Sequence, residues 1–554
     1  MNRAAIAAVT VVGAAALGVT ACGSSNSGGG AATTTKQGGT ATVLMGTAPD
    51  YLDPQEGYTT QSAEATWISY TPLLTYKHAS GSAGGTLIPG LADSLPTVSA
   101  NGKTYTLRLR PNLVYSNGKA VKASDFAYTI ERAIKLNWGG KSFFTNNIVG
   151  ASAYDKSTAK SISGITTDDQ TGQITIHLTQ PYGAFANVLA FPSTGLVPAG
   201  TPMTNRSTNP PPGVGPYMIT NVSPNKTFTL VKNPKFAGLH LPGVPVGHLD
   251  KIVVNITSNT QSEAQQVLKN QADAFDPGDT LPPSLLPQIE SQAKDRFARE
   301  QVPSTFYFFL NTTTKPFNNA KAREAVNLAL DRRALERLAS GFLSPGCFFL
   351  PEGIVGHPSS PCPYGDPNQA PDVAKAKALV KQAGLDGTPV TVWGESRSPR
   401  KQYVEYYASV LNEIGFKATP KIISDTVYFP TIGSAQTNPQ TGFADWVQDF
   451  PNPSDFYLLF NAKTIQPVNN ENFSKVNDPH IQGELARLDK VPATTLDTVA
   501  RDWQALDEYT AKKAYVAAYG TEEVPKFFSN RINFDSAVFH PLFFNDWTSW
   551  QLNG

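Results

Sequence analysis

The chain has 554 residues, roughly three to four times the size of a typical single domain, which predicts at least two lobes. Its 45 basic and 44 acidic residues give a formal net charge of +1, and charged residues make up only 16% of the chain. Because this balance provides no strong positive field, we expect no nucleic-acid partner and no electrostatic attachment to anionic lipids.

The first 22 residues are predicted to be a targeting segment rather than part of the fold. Arg3 supplies a positive charge, an apolar run of mostly Ala and Val follows, and the segment ends in Val19-Thr20-Ala21-Cys22. This ending resembles the lipobox of bacterial lipoproteins, in which the signal is cut before the cysteine and the thiol carries a diacylglycerol. The resemblance predicts lipid attachment at Cys22; the alternative is an ordinary signal peptide with a chance cysteine.

Residues 23–38 are rich in Gly, Ser and Thr, a composition typical of a flexible tether. The remaining sequence contains no apolar run of about 18 residues, so no transmembrane helix is predicted. We therefore expect an exported protein whose body is held by its lipid at the outer face of the cytoplasmic membrane.

The first half of the body alternates predicted strands with predicted helices. Residues 39–46 alternate and are rich in β-branched side chains, which predicts a strand, and residues 95–109 predict a hairpin with a type I′ turn at Asn101-Gly102. A helix is predicted to begin at residues 122–125 and to run to Lys135. Further strands are predicted within 161–178 and at 226–232, 249–256 and 272–275, and further helices at 180–190 and 262–270.

The second half follows the same pattern. A buried strand is predicted at 303–311, and a single helix is predicted at 320–340, closed by Gly341. Further strands are predicted at 390–393, 416–422 and 442–446, further helices at 372–383, 400–414 and 497–513, and an aromatic, mostly extended tail at 523–554. Strands that alternate with helices, together with hairpins, predict mixed α/β layers in more than one lobe.

Cys347 and Cys362 flank a loop rich in Pro and Gly. Because an exported chain enters an oxidising compartment, we expect these two cysteines to form a disulfide. Closing a loop of this length stabilises a fold by ~3 kcal/mol in the chain-entropy model. A metal site is the alternative, but it lacks partners, because His357 is the only imidazole nearby.

The segment 442–461 combines aromatic side chains with carboxylates around two prolines, Pro451 and Pro453. Proline lacks an N–H and fixes φ, so neither a helix nor a central strand is expected to run through this point. We predict a strand that ends before the prolines, then a tight loop, and then a helix with Ser454 or Asp455 as its N-cap.

This arrangement would hold Trp446 and Asp449 at the end of a strand. Such a pair suits the wall of a ligand pocket, because the ring offers apolar area and the carboxylate binds a cation. The alternative is a tryptophan in the core and an aspartate that caps a helix.

The motifs of several enzyme classes are missing from the sequence. The seven histidines are scattered, with no H-E-x-x-H pair, and neither a G-x-S-x-G elbow nor a Walker A sequence occurs. We therefore predict no metal, no cofactor and no enzymatic activity. An exported hydrolase with a pair of catalytic carboxylates is the alternative from a different class of protein.

Nine segments, taken in their order and spacing, resemble one family. They are YLDP (51–54), LIPGLADSLP (87–96), NGKTYTLRLRPNLVYSNGKAVKASDFAYTIERA (101–133), GVGPY (213–217), LDKIVVNI (249–256), LNTTTKPFNNAKAREAVNLALDR (310–332), AKALVKQAG (376–384), LNEIGF (411–416) and WVQDFPNP (446–453). Together they resemble the family five extracellular solute-binding proteins, the dipeptide and oligopeptide receptors of ABC importers, over roughly residues 38–550.

The resemblance implies an α/β, two-lobed fold of the periplasmic-binding-protein type (type II, cluster C), with an extra domain inserted in the first lobe. Carried onto this chain, the first lobe consists of residues 39–54, 191–304 and 522–554, the extra domain of residues 55–190, and the second lobe of residues 305–521. A monomer is expected, with its ligand enclosed between the two lobes.

The resemblance also implies a function, the capture of di- or oligopeptides for delivery to an ABC permease in the membrane. In peptide-binding members, the carboxylate three residues after the tryptophan holds the α-ammonium of the ligand, which here is Asp449 after Trp446. Arg397 is expected to bind a ligand carboxylate and Tyr58 to lie near the cleft, whereas Asp53 is expected to stabilise a turn. The alternatives within this fold are an oligosaccharide and a nickel or metallophore chelate.

Overall fold

One long strand, Val516–Phe528, belongs to both halves of the molecule, and we call it the shared strand. Its first half pairs antiparallel with Ser304–Leu310, and its second half pairs antiparallel with Phe297–Gln301 and Ala274–Phe275. A twelve-stranded mixed sheet therefore extends through both lobes. These elements are taken from a computed structural model that describes residues 35–257, 259–467 and 470–554.

The first lobe is built around the strand Thr40–Met45. This strand runs parallel to Lys251–Ile256 on one side and to Ala274–Phe275 on the other. The antiparallel strands Thr227–Lys232 and Tyr217–Ser223 extend the sheet to its edge. The parallel strands in the middle of the lobe direct their carboxyl ends to one side of the sheet, where a ligand site is expected in open α/β folds.

The second lobe continues the sheet from Ser304–Leu310, in which every residue is buried. This strand pairs antiparallel with Thr441–Val447, and Pro389–Glu395 pairs parallel with both Thr441–Val447 and Lys417–Ile423. Leu343–Pro345 pairs with the shared strand. The hydrophobic core of this lobe is separate from the core of the first lobe, which establishes the two-lobed architecture.

A separate four-stranded antiparallel sheet lies between residues 97 and 177. Its strands are ordered Thr97–Val98, Thr104–Arg108, Gln173–His177 and Ile165–Asp168. The helix Ser124–Lys135 buries one apolar face beside this sheet. The core of this region is continuous with the core of the first lobe, and the boundaries of the extra domain at residues 55 and 190 stay a prediction.

The other α-helices and the short strand pairs complete the two lobes. The helices are Thr60–Trp67, Ser142–Thr145, Ala151–Asp155, Phe185–Val188, Thr260–Leu268, Leu286–Gln292, Ala320–Ala329, Arg332–Leu338, Val373–Gln382, Arg400–Glu413, Asp425–Ile432, Pro453–Tyr457, Pro479–Leu488 and Ala500–Lys512. The short pairs are Thr35–Lys36 with Leu552–Asn553, Leu74–Tyr76 with Leu87–Pro89, and Phe539–His540 with Phe544–Asn545. Among the described residues, no helix combines the length and the apolar character needed to cross a membrane.

The single helix predicted at 320–340 is wrong, because the chain forms two helices there. They are Ala320–Ala329 and Arg332–Leu338. Asp331 separates them, and its side chain accepts the N–H of Ala334 at 3.1 Å, which caps the second helix. An aspartate in the middle of a periodic apolar pattern was the signal for this break.

Three further local predictions are corrected. Only Gly102 of the Asn101-Gly102 pair has a positive φ, at 68°, whereas a type I′ turn requires a positive φ at both positions. The helix predicted at 180–190 is limited to Phe185–Val188. The tail is extended only as far as Phe528 and then forms turns and short strand pairs.

Two predictions concern the N-terminal region, namely lipid attachment at Cys22 and a flexible tether over residues 23–38. Cys22, the predicted lipid-attachment residue, lies outside the described residues. Thr35–Lys36 pairs with Leu552–Asn553, so the tether predicted for residues 23–38 is too long at its C-terminal end.

A disulfide joins Cys347 to Cys362, with the Cα atoms 6.0 Å apart. Phe349 and Leu350, which follow the first cysteine, are buried in the core of the second lobe. Their backbone N–H groups both donate to the carboxylate of Asp507 at 3.1 Å. Covalent and hydrogen bonds therefore both hold this loop against the second lobe.

Candidate ligand-binding cavity

A cavity of about 730 Å³ lies between the two lobes. This volume falls within the range of roughly 300–1,000 Å³ that is typical of ligand pockets. Its polar lining includes Thr47, Tyr58, Gln61 and Asp279 from the first lobe, Arg397, Arg400, Asp445, Gln448 and Asp449 from the second lobe, and Glu522 and Glu523 from the shared strand. A ligand in this cavity would therefore contact both lobes at once.

The first-lobe wall lies beyond the carboxyl ends of two parallel strands. Thr47 follows the strand Thr40–Met45, and Asp279 follows the strand Ala274–Phe275. The strands were predicted from the sequence, but Asp279 was not identified as a site residue. Its only sequence signal is its position just after a short buried strand, within a turn that contains Pro and Gly.

Asp449 lies on the second-lobe wall, within reach of the first lobe. The hydroxyl of Tyr58 donates a hydrogen bond of 2.7 Å to Asp449 Oδ2. Burial raises the pKa of Asp449 to about 7; the Tyr58 hydrogen bond opposes this rise, and the charge of Glu471 adds to it. In the described part of the chain, no lysine, arginine or histidine pairs with this carboxylate, which therefore lacks a cation to stabilise its charge.

A short loop fixes the position of Asp449. The strand Thr441–Val447 ends two residues before it, and the helix Pro453–Tyr457 begins four residues after it. Phe450, the next residue, is buried and packs edge-on against the rings of Phe143 and Phe191, with ring centroids 5.7 and 6.1 Å away. Packing on the neighbouring residue therefore restricts where the carboxylate can move.

The predicted N-cap of the following helix, Ser454 or Asp455, is wrong. Asn452 is the N-cap, and its side-chain oxygen accepts the N–H of Ser454 at 3.0 Å. Pro453 occupies the first helical position, where proline is common because its missing N–H would have no partner there. This rule identifies the residue before Pro453 as the cap from the sequence alone.

Asp455 supports the site from behind the cavity wall. It is fully buried, and its Oδ2 accepts the backbone N–H of Asp449 at 2.8 Å and the indole N–H of Trp446 at 3.3 Å. Burial and the charge of Asp449 raise the pKa of Asp455 well above its ordinary value. Trp446 packs against the core of the second lobe and does not line the cavity.

The two arginines that line the cavity differ in their partners. Arg400 forms ion pairs with Glu395, at 2.8 Å, and with Asp445, and its side chain is only 13% exposed. Burial opposes its charge, yet Asp445 and Glu395 raise its pKa above the ordinary value. Arg397 is 54% exposed, and among the described residues its guanidinium forms an ion pair only with Glu395, at 3.3 Å, so it keeps donors for a ligand.

Two other observations limit the chemistry of the site. Asp53 forms a fully buried, two-bond salt bridge with Arg132, at 2.6 Å for each bond, in agreement with a structural role. Over the three ranges that the structure describes, no group of three or more His, Cys, Asp or Glu side chains is arranged to hold a metal ion. Of the site residues predicted from the sequence, Tyr58, Arg397 and Asp449 line the cavity.

Comparison with known protein families gives a match over most of the chain. A family model described as bacterial extracellular solute-binding proteins, family 5, middle, matches residues 86–467. The glutathione-binding proteins GsiB of Escherichia coli O1:K1 / APEC and of strain K12 are each 31% identical over 335 residues. These alignments cover 59% of this chain and 59% of each relative.

Comparison with solved structures identifies the same two-lobed fold. Clavulanic acid biosynthesis oligopeptide binding protein 2 has a TM-score of 0.86 at 20% identity, covering 94% of this chain and 96% of that chain. The periplasmic binding protein DppA from Helicobacter pylori, in complex with the peptide STSA, has a TM-score of 0.71 at 22% identity, covering 94% and 99%.

Proposed function

Because the chain belongs to the bacterial extracellular solute-binding proteins of family 5, a family of transport binding proteins and not of enzymes, we propose that it captures small peptides between its two lobes and delivers them to an ABC permease for import. The relatives support a peptide ligand: GsiB is named as a glutathione-binding protein, and the DppA structure contains the peptide STSA.

The observation that carries this proposal is the unpaired carboxylate of Asp449 in the cavity. A peptide α-ammonium is a cation of suitable size for it, and an ion pair at ~4 Å contributes about 4 kcal/mol at an effective dielectric constant of about 20, before desolvation. The Tyr58 hydroxyl donates to one oxygen, Oδ2, which orients the carboxylate. Arg397, on the same second-lobe wall, would bind a ligand carboxylate through its fork of donors.

Closure of the lobes is the proposed mechanism of capture. Tyr58 belongs to the first-lobe wall and Asp449 to the second-lobe wall, so their hydrogen bond joins the two sides of the cavity. A ligand that contacts both walls binds the closed arrangement more tightly than the open one, and it shifts the population toward closure.

We further propose that the protein acts outside the cytoplasm, attached to the membrane through a lipid on Cys22. The support is the sequence of the first 22 residues, together with a disulfide that suits an oxidising compartment. Cys22→Ser is expected to release the protein into the medium or to leave its signal uncleaved, as measured by fractionation of cells. Unchanged membrane retention would contradict the anchor.

Calorimetric titration of the purified protein with di- to pentapeptides tests the peptide assignment. We expect at least one class of free-N-terminus peptide to bind with a 1:1 stoichiometry. If none of these peptides binds while an oligosaccharide or a metal chelate does, the peptide assignment is wrong and the ligand is of another class.

A further inference from the structure

Four carboxylic acids interact electrostatically at and behind the first-lobe wall of the cavity, and we call them the acidic cluster: Glu64, Glu263, Asp276 and Asp279. Their exposed fractions are 1%, 0%, 1% and 7%, so each is more than nine-tenths buried. Glu64 and Glu263 lie on helices, whereas the two aspartates follow the strand Ala274–Phe275. In the described part of the chain, no lysine or arginine pairs with any of the four.

Glu263 shows that the cluster is electrostatically unsatisfied. Neither of its carboxyl oxygens has a hydrogen-bond partner among the described residues. Burial raises its pKa to about 8, and the charges of Asp279 and Asp276 add to this rise. Burying a carboxyl group without a partner costs free energy unless the group takes up a proton or a cation reaches it.

Asp279 connects the acidic cluster to the cavity, because it is the member of the cluster that lines it. Its carboxylate accepts the backbone N–H of Gly46, and its Oδ1 accepts the hydroxyl of Thr47 at 3.4 Å. A Cβ on Gly46 would lie only 2.8 Å from Asp279 Oδ1, so glycine leaves the space that this carboxylate occupies. The backbone is therefore shaped to hold a carboxylate at the cavity wall.

We propose that Asp279, backed by the acidic cluster, forms a second cation subsite that binds the ammonium or guanidinium group of a basic ligand side chain. This inference rests on the proposed function, in which Asp449 on the opposite wall binds the α-ammonium. The preferred ligand is then a short peptide with a free N-terminus and a lysine or arginine side chain.

Bound protons neutralise part of the negative charge of the acidic cluster in the absence of a ligand cation. Burial raises the pKa of Asp279 to about 6, and burial together with the charge of Asp279 raises the pKa of Asp276 to about 7. Burial and the charge of Asp276 raise the pKa of Glu64 as well. The acidic cluster therefore holds protons near neutral pH. A ligand cation favours the ionised carboxylates and would displace these protons, and because the carboxyl groups titrate together, the protons can leave from any member of the cluster.

The test compares arginine with citrulline, which has nearly the same shape but no charge. Tripeptides that carry one or the other at the first, second or third position are titrated calorimetrically into the wild-type protein. At the best position, citrulline is expected to weaken binding roughly tenfold or more, because its N–H donors carry no positive charge and charge-assisted hydrogen bonds are the stronger ones. Equal affinities at all three positions would overturn the second subsite, whereas no binding of any peptide would overturn the proposed function itself.

Two variants separate the two carboxylates. Asp279→Asn is expected to abolish the preference for arginine over citrulline and to retain the loss of affinity caused by N-acetylation of the peptide. Asp449→Asn is expected to show the reverse pattern. A preference for arginine that survives in Asp279→Asn would contradict the proposal.

Proton release provides a test that needs no variant. Titration of the wild-type protein at about pH 6.5, in two buffers with different ionisation enthalpies, measures the protons released on binding. An N-acetylated arginine peptide is expected to release protons from the acidic cluster, and the matched citrulline peptide is not. Equal proton release by the two peptides would overturn the subsite.

Discussion

Asp449 and Arg400 show that the partners of a charged side chain in the cavity decide how much of its charge is available to a ligand. Arg400 is neutralised by Glu395 and Asp445, so little of its charge is left for a ligand. Among the described residues, the Asp449 carboxylate accepts a side-chain hydrogen bond only from the Tyr58 hydroxyl, and the Asp449 backbone N–H donates to Asp455. A partly buried carboxylate that has no paired cation gains more binding free energy from a charged ligand group than a side chain that is already paired. Asp449 is therefore a stronger candidate than Arg400 for binding a charged ligand group.

Asp449→Asn is expected to lower the affinity for a peptide with a free N-terminus by roughly 10- to 150-fold. This range corresponds to the ~1.5–3 kcal/mol of a hydrogen bond to a charged group. The amide keeps the size of the side chain but removes the charge that attracts the α-ammonium. Calorimetric titration measures the change. The N-acetylated peptide is the control, because it carries no ammonium, and an equal loss for both peptides would contradict the ammonium role.

The affinity for such a peptide is also expected to depend on pH. Burial raises the pKa of Asp449 to about 7, and the α-ammonium binds the ionised carboxylate, so the proton must leave when the ligand binds. Affinity should therefore fall as the pH drops below about 7, approaching tenfold per pH unit, and it should fall again where the α-amino group deprotonates, near pH 8. Titrations between pH 5 and 9 with a peptide that has no basic side chain measure this profile, and Asp449→Asn should lack the acidic limb.

Resemblance to a family singled out Asp449 and Tyr58 from the sequence, but it did not single out the other carboxyl groups around the cavity. Asp455 was predicted to be a possible helix cap, yet it binds the Asp449 N–H from behind the wall. Asp279 is 170 residues away in the chain and reaches the same cavity only because the lobes fold together. Burial and long-range proximity set these pKa values, and neither is visible in a local pattern.

At the scale of elements, local rules succeeded where a segment depends on its own sequence. The helices predicted at 372–383 and 400–414 appear as Val373–Gln382 and Arg400–Glu413. The rules failed where one side chain interrupts a periodic pattern, as Asp331 does in the stretch 320–340. Apolar periodicity does not distinguish a continuous helix from two helices that bury the same face, whereas a capping side chain does.

Asn452→Ala is expected to destabilise the protein by about 1 kcal/mol and also to weaken peptide binding severalfold. The side chain of Asn452 caps the helix that follows the Asp449 loop, so its loss loosens both the helix and the loop. Thermal unfolding measures the first effect and calorimetric titration measures the second.

Asn319→Ala is the matched control for this element. Asn319 caps the helix Ala320–Ala329, with its side chain accepting the N–H of Lys321 at 2.9 Å, and it does not line the cavity. A similar loss of stability without a loss of affinity is expected for this variant. If both variants weaken binding equally, the Asn452 cap has no specific role in positioning Asp449.

At the scale of the whole molecule, the pairing of the shared strand is the feature that local sequence patterns did not reveal. The tail was predicted to be extended, but its pairing with Ser304–Leu310 in one lobe and with Phe297–Gln301 and Ala274–Phe275 in the other joins residues more than 200 positions apart. Strand pairing over such distances depends on the complete fold, and no local pattern encodes it. The two lobes thereby share one sheet while they keep separate cores.

The hydrogen bond between Tyr58 and Asp449 joins the two walls of the cavity, and Tyr58→Phe removes it without changing the packing of the ring. Without ligand, this variant is expected to populate more open arrangements, seen as a larger radius of gyration in small-angle X-ray scattering. With a saturating peptide, the wild type and the variant should have the same radius, because the ligand itself then bridges the walls. Tyr51→Phe is the control, since Tyr51 is equally exposed, at 42%, but does not line the cavity. An unliganded Tyr58→Phe protein as compact as wild type would show that this bond does not hold the lobes together.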